Sequence, residues 1–445
     1  MKKKLTALLL AVVMGAGTLT GCGNNQASSG SAGSAGDKGS SEKVELSYWD
    51  NLADNAHTKV YKDLISEFEK ENPNITVKYV PLPSDQAKSK FDVAIQSKTA
   101  PDCGVIYQYW LNDFVAEDGL LPLDDFISTW DAKDELVDTI QKSIKDTAPD
   151  GKTYGLAQYF VIPTLWYNKA IFKKAGLSAP TTWDETFQDV VKLTDKKNGV
   201  YGFSIRGGAG SSQQLEQMLY QYSGITDMFD KDGKSTINDP KHVEFLEKFA
   251  KLYNVYTPES DITNASTQML SAFGSGSAAM IFANIGSYSV NKSALGEDCG
   301  AVIKLKSIQN STVIVSNGVA NLSIFKNSKH PKEAFQFISY LAGHKADSKL
   351  NEAFGDVPCN KEALKDDWVQ KSAPIKEAAD VFLSSDTKFA TLPIYVSGYF
   401  DLHQNTLAKD FQNVLLGKET AKQYLDNWAN QMTQLKKQYD EKVKK

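Results

Sequence analysis

The residues of this chain best suited to chemistry are aromatic and hydrogen-bonding side chains at the ends of apolar runs. Trp49 and Asp50 close the alternating run 44–49. Tyr107, Gln108, Tyr109 and Trp110 close the apolar run 103–107 and form the densest aromatic patch at such an end. Arg206 opens a run of small residues, Gly207, Gly208, Ala209, Gly210, Ser211 and Ser212, ahead of helical sequence. Aromatic rings offer flat apolar faces, and a carboxylate accepts charge-assisted hydrogen bonds about twice as strong as neutral ones. Small residues let backbone N–H groups approach a ligand, while a guanidinium donates a fork of hydrogen bonds. This is the chemistry of recognition rather than of bond breaking. Plainer readings exist beside it: Trp49 as core, Asp50 as a turn former, the glycine run as a turn with a serine cap.

Motifs for covalent chemistry fail on particular residues. Gly233-Lys234-Ser235 ends like a phosphate-binding loop, but Met228 stands where the earlier glycine is required. Glycines 207, 208 and 210 do not make G-x-G-x-x-G. His57, His242, His330, His344 and His403 are scattered without metal-ligand spacing, and no G-x-S-x-G elbow occurs. No stretch singles out a carboxylate pair for glycoside cleavage among the 54 acidic residues. Cys103, Cys299 and Cys359 lack C-x-x-C spacing and are read as buried free thiols. Neither a metal nor a cofactor is expected. A formal net charge of -5 argues against nucleic acid, whose phosphates reward clustered Lys and Arg.

The elements that would position these residues follow from periodicity. Residues 44–49 alternate as a strand; Ala56, Val60, Tyr61, Leu64, Ile65 and Phe68 recur at helical spacing up to Asn72-Pro73. Ile75, Val77 and Tyr79 then alternate as a second strand. Asp54 and Asn55, strong N-cap types, are read as capping the helix between them. A further helical pattern covers 84–97, and the third strand, 103–107, completes βαβαβ. The next helix is expected to start at Asn112, and helices at 183–194, 213–221, 242–253, 267–273, 331–341, 406–416 and 421–443. Strands are expected at 161–167, 278–282 and 313–324. In a parallel α/β sheet, ligands bind outside the carboxyl ends of the strands, where Trp49, Asp50 and Tyr107 to Trp110 fall. At 445 residues, two lobes are the natural division.

The N-terminus reads as a processing signal. Three lysines precede the apolar stretch 5–13, too short for a permanent bilayer span, and Leu19-Thr20-Gly21-Cys22 closes it. This resembles a bacterial lipobox, which would make Cys22 the diacylglycerol-modified N-terminus of the mature protein. Residues 23–42 are dominated by Gly, Ser, Ala and Asn and form a flexible tether. Its reach is roughly 25 Å by random-coil scaling.

Several stretches in one order extend the likeness to nearly all of the mature chain. They are VELSYWDN (44–51), EFEKENPNITV (67–77), APDCGVIYQYW (100–110), GLLPLDDF (119–126), GKTYGLAQYFVIPTLWYNKAIFKKAGL (151–177) with PTTWDE (180–185), GSGSAAMIFANIGSY (274–288) and GVANLSIFKNSKHPKEAFQFISYL (318–341). Together they resemble the extracellular solute-binding proteins of ABC importers, in the carbohydrate-binding group. The resemblance implies an α/β, two-lobed, periplasmic-binding-protein-like fold of type II, with discontinuous lobes and a hinge. It implies an N-terminal lobe of 43–156 and 318–368 and a C-terminal lobe of 157–317 and 369–445. The crossings would lie near 154–158, 317–320 and Trp368. The implied partners are a sugar, in particular an oligosaccharide, and the transmembrane subunits of a permease. The implied site is the cleft of a lipid-anchored monomer on the outer face of the cell membrane. Sugars present apolar C–H faces and rings of hydroxyls, which the aromatic and polar residues already named would meet. Behind the first crossing the likeness adds Gln158 and Tyr159, and at the loop after 278–282 it adds Asn284 and Tyr288. Tyr395 completes the candidates.

Overall fold

The computed structural model describes residues 43–443, except 53, 54, 317 and 385, and only the backbone of 55, 56, 84, 85, 382, 383 and 443. The expected signal, the lipidation of Cys22, the tether 23–42 and the capping by Asp54 lie outside the described residues, as does the Asn55 side chain.

The alternation in β1 (Val44–Asp50) buries Val44, Leu46, Tyr48 and Asp50 on one side of the strand. The helix Asn55–Glu71 packs Tyr61, Leu64, Ile65 and Phe68 on that side, and the chain returns as β2 (Ile75–Pro81), parallel to β1 with Val44 opposite Ile75. β3 (Cys103–Tyr107) lies parallel on the other flank of β1. Two later strands extend this sheet: β9 (Val319–Ile324), antiparallel to β3, and β10 (Val357–Pro358). β4 (Leu156–Phe160) lies between those two, giving the order β10-β4-β9-β3-β1-β2. One face is covered by the helices Asn55–Glu71 and Pro331–Ala342, the other by Ser84–Gln96, Gln108–Ala116 and Asp138–Thr147.

The second lobe has its own strands. β5 (Pro163–Asn168) runs antiparallel between β6 (Met280–Asn284) and β7 (Cys299–Val302), and β8 (Thr312–Ser316) pairs in parallel with β11 (Thr387–Thr391). Trp183, Leu215, Phe245 and Trp428, each from a different helix, fill its core. The chain thus passes between the six-stranded sheet and the strands of the second lobe three times, after β4, after β8 and after β10.

Local readings differ from the structure at three places that matter for the site. The expected first crossing, 154–158, falls largely in β4, whose pairing with β9 and β10 keeps it in the first sheet; the passage is made by Val161 and Ile162. The expected strand 313–324 is two strands in different sheets. Between them Gly318 has φ 111°, and a Cβ there would lie 2.9 Å from Gln108 Oε1, so neither extended backbone nor a side chain fits. The helix expected at Asn112 begins at Gln108, directly after β3. Trp110, Leu111 and Phe114 drive it, burying one face at helical spacing. Cys103, Cys299 and Cys359 are buried free thiols, as expected.

Candidate ligand-binding site

The strand ends of the first lobe present a tyrosine-rich wall. Asp50, at the end of β1, accepts a hydrogen bond from Tyr79 OH at 2.7 Å on one carboxylate oxygen and from Leu52 N at 3.2 Å on the other. It shapes the turn and also anchors a ring cluster in which Tyr61 lies 5.4 Å from Tyr48 and 5.5 Å from Tyr79. Trp49 points to the opposite face of the strand, half-buried against Phe91 at 5.3 Å. Tyr107 and Tyr109 stack at 5.1 Å and 13°. They share a side because Tyr107 caps the helix that Tyr109 belongs to, not because a strand continues through them. The Tyr107 phenol interacts with that of Tyr159 of β4, and burial pushes the Tyr107 phenol up to about 12.

The second lobe presents loops. Arg206 donates from Nε to Ala209 O at 2.6 Å and lies flat on Gly210, where a Cβ would be 2.2 Å from Nη2. Its guanidinium faces the Tyr109 ring system across the lobes, and burial lowers its pKa from the usual range. Asp261 fixes this loop by accepting from Ser204 Oγ at 3.0 Å, Ile205 N at 2.6 Å and Asn264 Nδ2 at 2.8 Å. Burial pushes the Asp261 carboxyl up to about 7. A polar cavity of about 60 Å³ lies here, lined by Arg206, Gln213, Asn284 and Ser287, with Val161 of the crossing segment at its edge.

Other sequence-predicted residues serve elsewhere. Trp110 is 2% exposed and packs against Phe91 and Phe114 in the first-lobe core. Gln158 is fully buried within β4, donating to Tyr61 OH at 2.7 Å. The Gly208 N–H is bound by Asn264 O at 2.9 Å, and a Cβ would lie 2.4 Å from Thr263 O. The smallness of Gly208 therefore serves backbone packing rather than a ligand. Tyr288 stacks on Trp166 at 6.1 Å and 12°, while Trp166 Nε1 donates to Asn284 O at 3.2 Å. The Tyr395 ring meets Tyr439 edge-on at 5.3 Å. Only its carbonyl reaches the first lobe, accepting from Asn112 Nδ2.

Three residues of this region escaped the sequence reading. Phe400 stacks on Tyr109 at 5.4 Å and 9°, joining the lobes, and Asn112 makes the neighbouring bridge. Asp356 precedes β10 and reaches Gly286 of the second lobe, where a Cβ would lie 2.5 Å from Oδ1. Gly355-Asp356-Val357-Pro358 carries no periodic signal, so nothing local marked it. Composition did offer one unused signal: Arg206 is the single arginine in the chain.

Two α/β lobes joined by three chain passages, with tyrosines and carboxylates on one wall and an arginine loop on the other, define a hinged binding protein. The chain belongs to the bacterial extracellular solute-binding proteins, whose match covers residues 53–348. It is a solute-binding protein and not an enzyme. It is 27% identical over 367 residues to a putative binding protein of Brucella abortus, covering 80% of this chain and 85% of that one. The ABC substrate-binding protein of Listeria monocytogenes solved with cycloalternan has a TM-score of 0.75 at 22% identity, covering 88% of this chain and 99% of the other. The GacH receptor of Streptomyces glaucescens, solved unliganded and with acarbose, has a TM-score of 0.74 at 25% identity, covering 89% and 99%.

Proposed function

We propose that this protein is the sugar-capturing receptor of an ABC importer, a lipid-anchored monomer that closes on an oligosaccharide and delivers it to the permease subunits. The observation that carries the ligand class is the stack of Tyr107 and Tyr109 beside Asp50, Asp356 and Arg206, flat rings next to charged hydrogen-bonding groups. Rings take the C–H faces of a sugar and the charged groups take its hydroxyls. The oligosaccharides in the two solved relatives, cycloalternan and acarbose, support the same class. On this reading Tyr107, Tyr109, Tyr159, Arg206 and Asn284 face the sugar, with Asp50 bracing the tyrosines from behind and Trp49 at the edge of the platform. Trp110, Gln158, Gly208, Tyr288 and Tyr395 hold those residues in place. On the same reading the first lobe takes 43–160 and 318–368 and the second takes 163–317 and 369–445, with the first crossing at 161–162. A sugar touching both walls binds the closed form better and shifts an open–closed equilibrium toward it.

Titration calorimetry with maltotriose, mannobiose, arabinotriose, raffinose and acarbose tests the ligand class. Binding heat from at least one is expected. Silence across the panel, with tight binding of an amino acid or polyamine, would sink the carbohydrate reading. The anchor rests on the lipobox-like Leu19-Thr20-Gly21-Cys22. Cys22→Ser should release the protein from membranes into the medium, and a variant that stays membrane-bound would remove Cys22 from that role.

A further inference from the structure

Asp356 is a carboxylate at the cleft for which the described residues supply no hydrogen-bond donor. It is 8% exposed and sits on the first lobe, its backbone N–H donating to Asn351 O at 3.1 Å. Among the described residues no donor or cation offsets its burial, which alone pushes the carboxyl up to about 7. Its Oδ1 overhangs Gly286 of the second lobe, 2.5 Å from where a Cβ would stand, and Asn284 Oδ1 is 3.3 Å from the same point. Two acceptor oxygens, one from each lobe, therefore lie close together against the Gly286 backbone, beside the polar cavity that Asn284 lines. Isolated burial of a carboxylate is costly, and a ligand that donates to it removes that cost.

We propose that Asp356 and Asn284 form a two-lobe acceptor pair that takes adjacent hydroxyl groups of the bound sugar, with Gly286 as the residue whose lack of a side chain lets the two approach. This rests on the sugar-binding reading above and names the contact that selects among sugars. Carboxylate oxygens accept two hydroxyl donors side by side, and an analogue lacking either hydroxyl leaves a buried acceptor unmet. The pair forms only when the lobes are together, so it also couples recognition to closure.

The contact makes affinity depend on pH. The titratable groups that face Asp356 are Tyr107 on β3, Tyr159 on β4 and Cys359 beyond β10, each with its pKa raised by burial and neutral at pH 7. Asp50 acts on Tyr107 and Asp347 acts on Cys359, while the second lobe presents the uncharged Asn284 and Gly286. The carboxylate is the accepting form, so binding expels a proton and strengthens as pH rises through 7.

The test is calorimetry with the same five sugars at pH 5.5 and 8.5, in buffers of different ionisation enthalpy. Any sugar that binds wild type should bind about 30-fold tighter at pH 8.5, and release close to one proton at pH 5.5. Asp356→Asn should abolish both effects, and Asn284→Ala should weaken binding while keeping the pH profile. Thermal melts confirm that both variants are folded. Asp261, the other carboxyl raised to about 7, is held by three donors of its own lobe and is present in wild type and both variants alike. Sugar binding that is independent of pH, or an Asp356→Asn profile matching wild type, overturns this inference and leaves the receptor reading standing. Binding of none of the five at either pH overturns both.

Discussion

The end of β1 and the entry to β10 each bring a buried aspartate to the cleft edge of the same sheet, and the two are provided for differently. Asp50 is met by Tyr79 OH and Leu52 N and sits at the centre of a tyrosine cluster. Asp356 is also buried, yet its carboxylate meets no donor among the described residues and overhangs a glycine of the other lobe. A buried carboxylate with donors holds its surroundings together, whereas one without them strains the fold until something binds. The first is architecture. The second, on the inference drawn above, is kept for a ligand, and the stability it forgoes is a usual cost of a binding site.

Stability measurements can break this contrast directly. The largest effect is expected from Asp50→Ala, which removes the buried acceptor that the Tyr79 hydroxyl and the Leu52 amide share; urea melts should show a loss of about 2–4 kcal/mol. A loss below about 0.5 kcal/mol would show that the tyrosine cluster holds without it. Asp356→Asn should act in the opposite direction, raising stability at pH 8 by roughly 1–3 kcal/mol. The sign follows from linkage. The folded-state pKa of about 7 lies above the ordinary carboxyl value of 3.8, so the fold favours the protonated form. The penalty from ionising Asp356 grows as pH rises from about 4 to about 7 and is constant above. The advantage of the asparagine should therefore be small at pH 4 and full at pH 8, and a variant no more stable at pH 8 would contradict an unpartnered Asp356. The smallest effect sharpens how the walls meet. Phe400→Ala removes the stack on Tyr109 and should weaken sugar binding by about 0.5–1.5 kcal/mol with little change in melting temperature. An equal loss of stability would make Phe400 a core residue and not a clasp.

The parts of the fold legible in the sequence are those in which one element reports on itself. Val44, Leu46 and Tyr48 alternate, and Tyr61, Leu64, Ile65 and Phe68 recur at helical spacing, so β1 and the helix Asn55–Glu71 could be read directly. The run 313–324 could not be divided, because two buried strands in different sheets have the same apolar composition as one long strand. Trp110 drew attention as an aromatic at a strand end, but a helix that begins at Gln108 turns it into the core. Gln158 was assigned to the cleft on a crossing placed too early, and pairing with β9 and β10 carries it into the first sheet.

The sequence by itself determined the alternation of strands and helices, the candidate recognition chemistry, the absence of recognisable catalytic motifs and the likeness to a two-lobed receptor. These are properties of residue type and of spacing within about a dozen positions, where backbone geometry alone decides which side chains share a face. Tertiary structure decided which candidates meet. Tyr109 finds Arg206 and Phe400, and Asp356 finds Gly286 and Asn284, across lobes that the chain enters and leaves three times. No local period links positions so far apart; only the pairing of strands within two lobes brings them to one cleft.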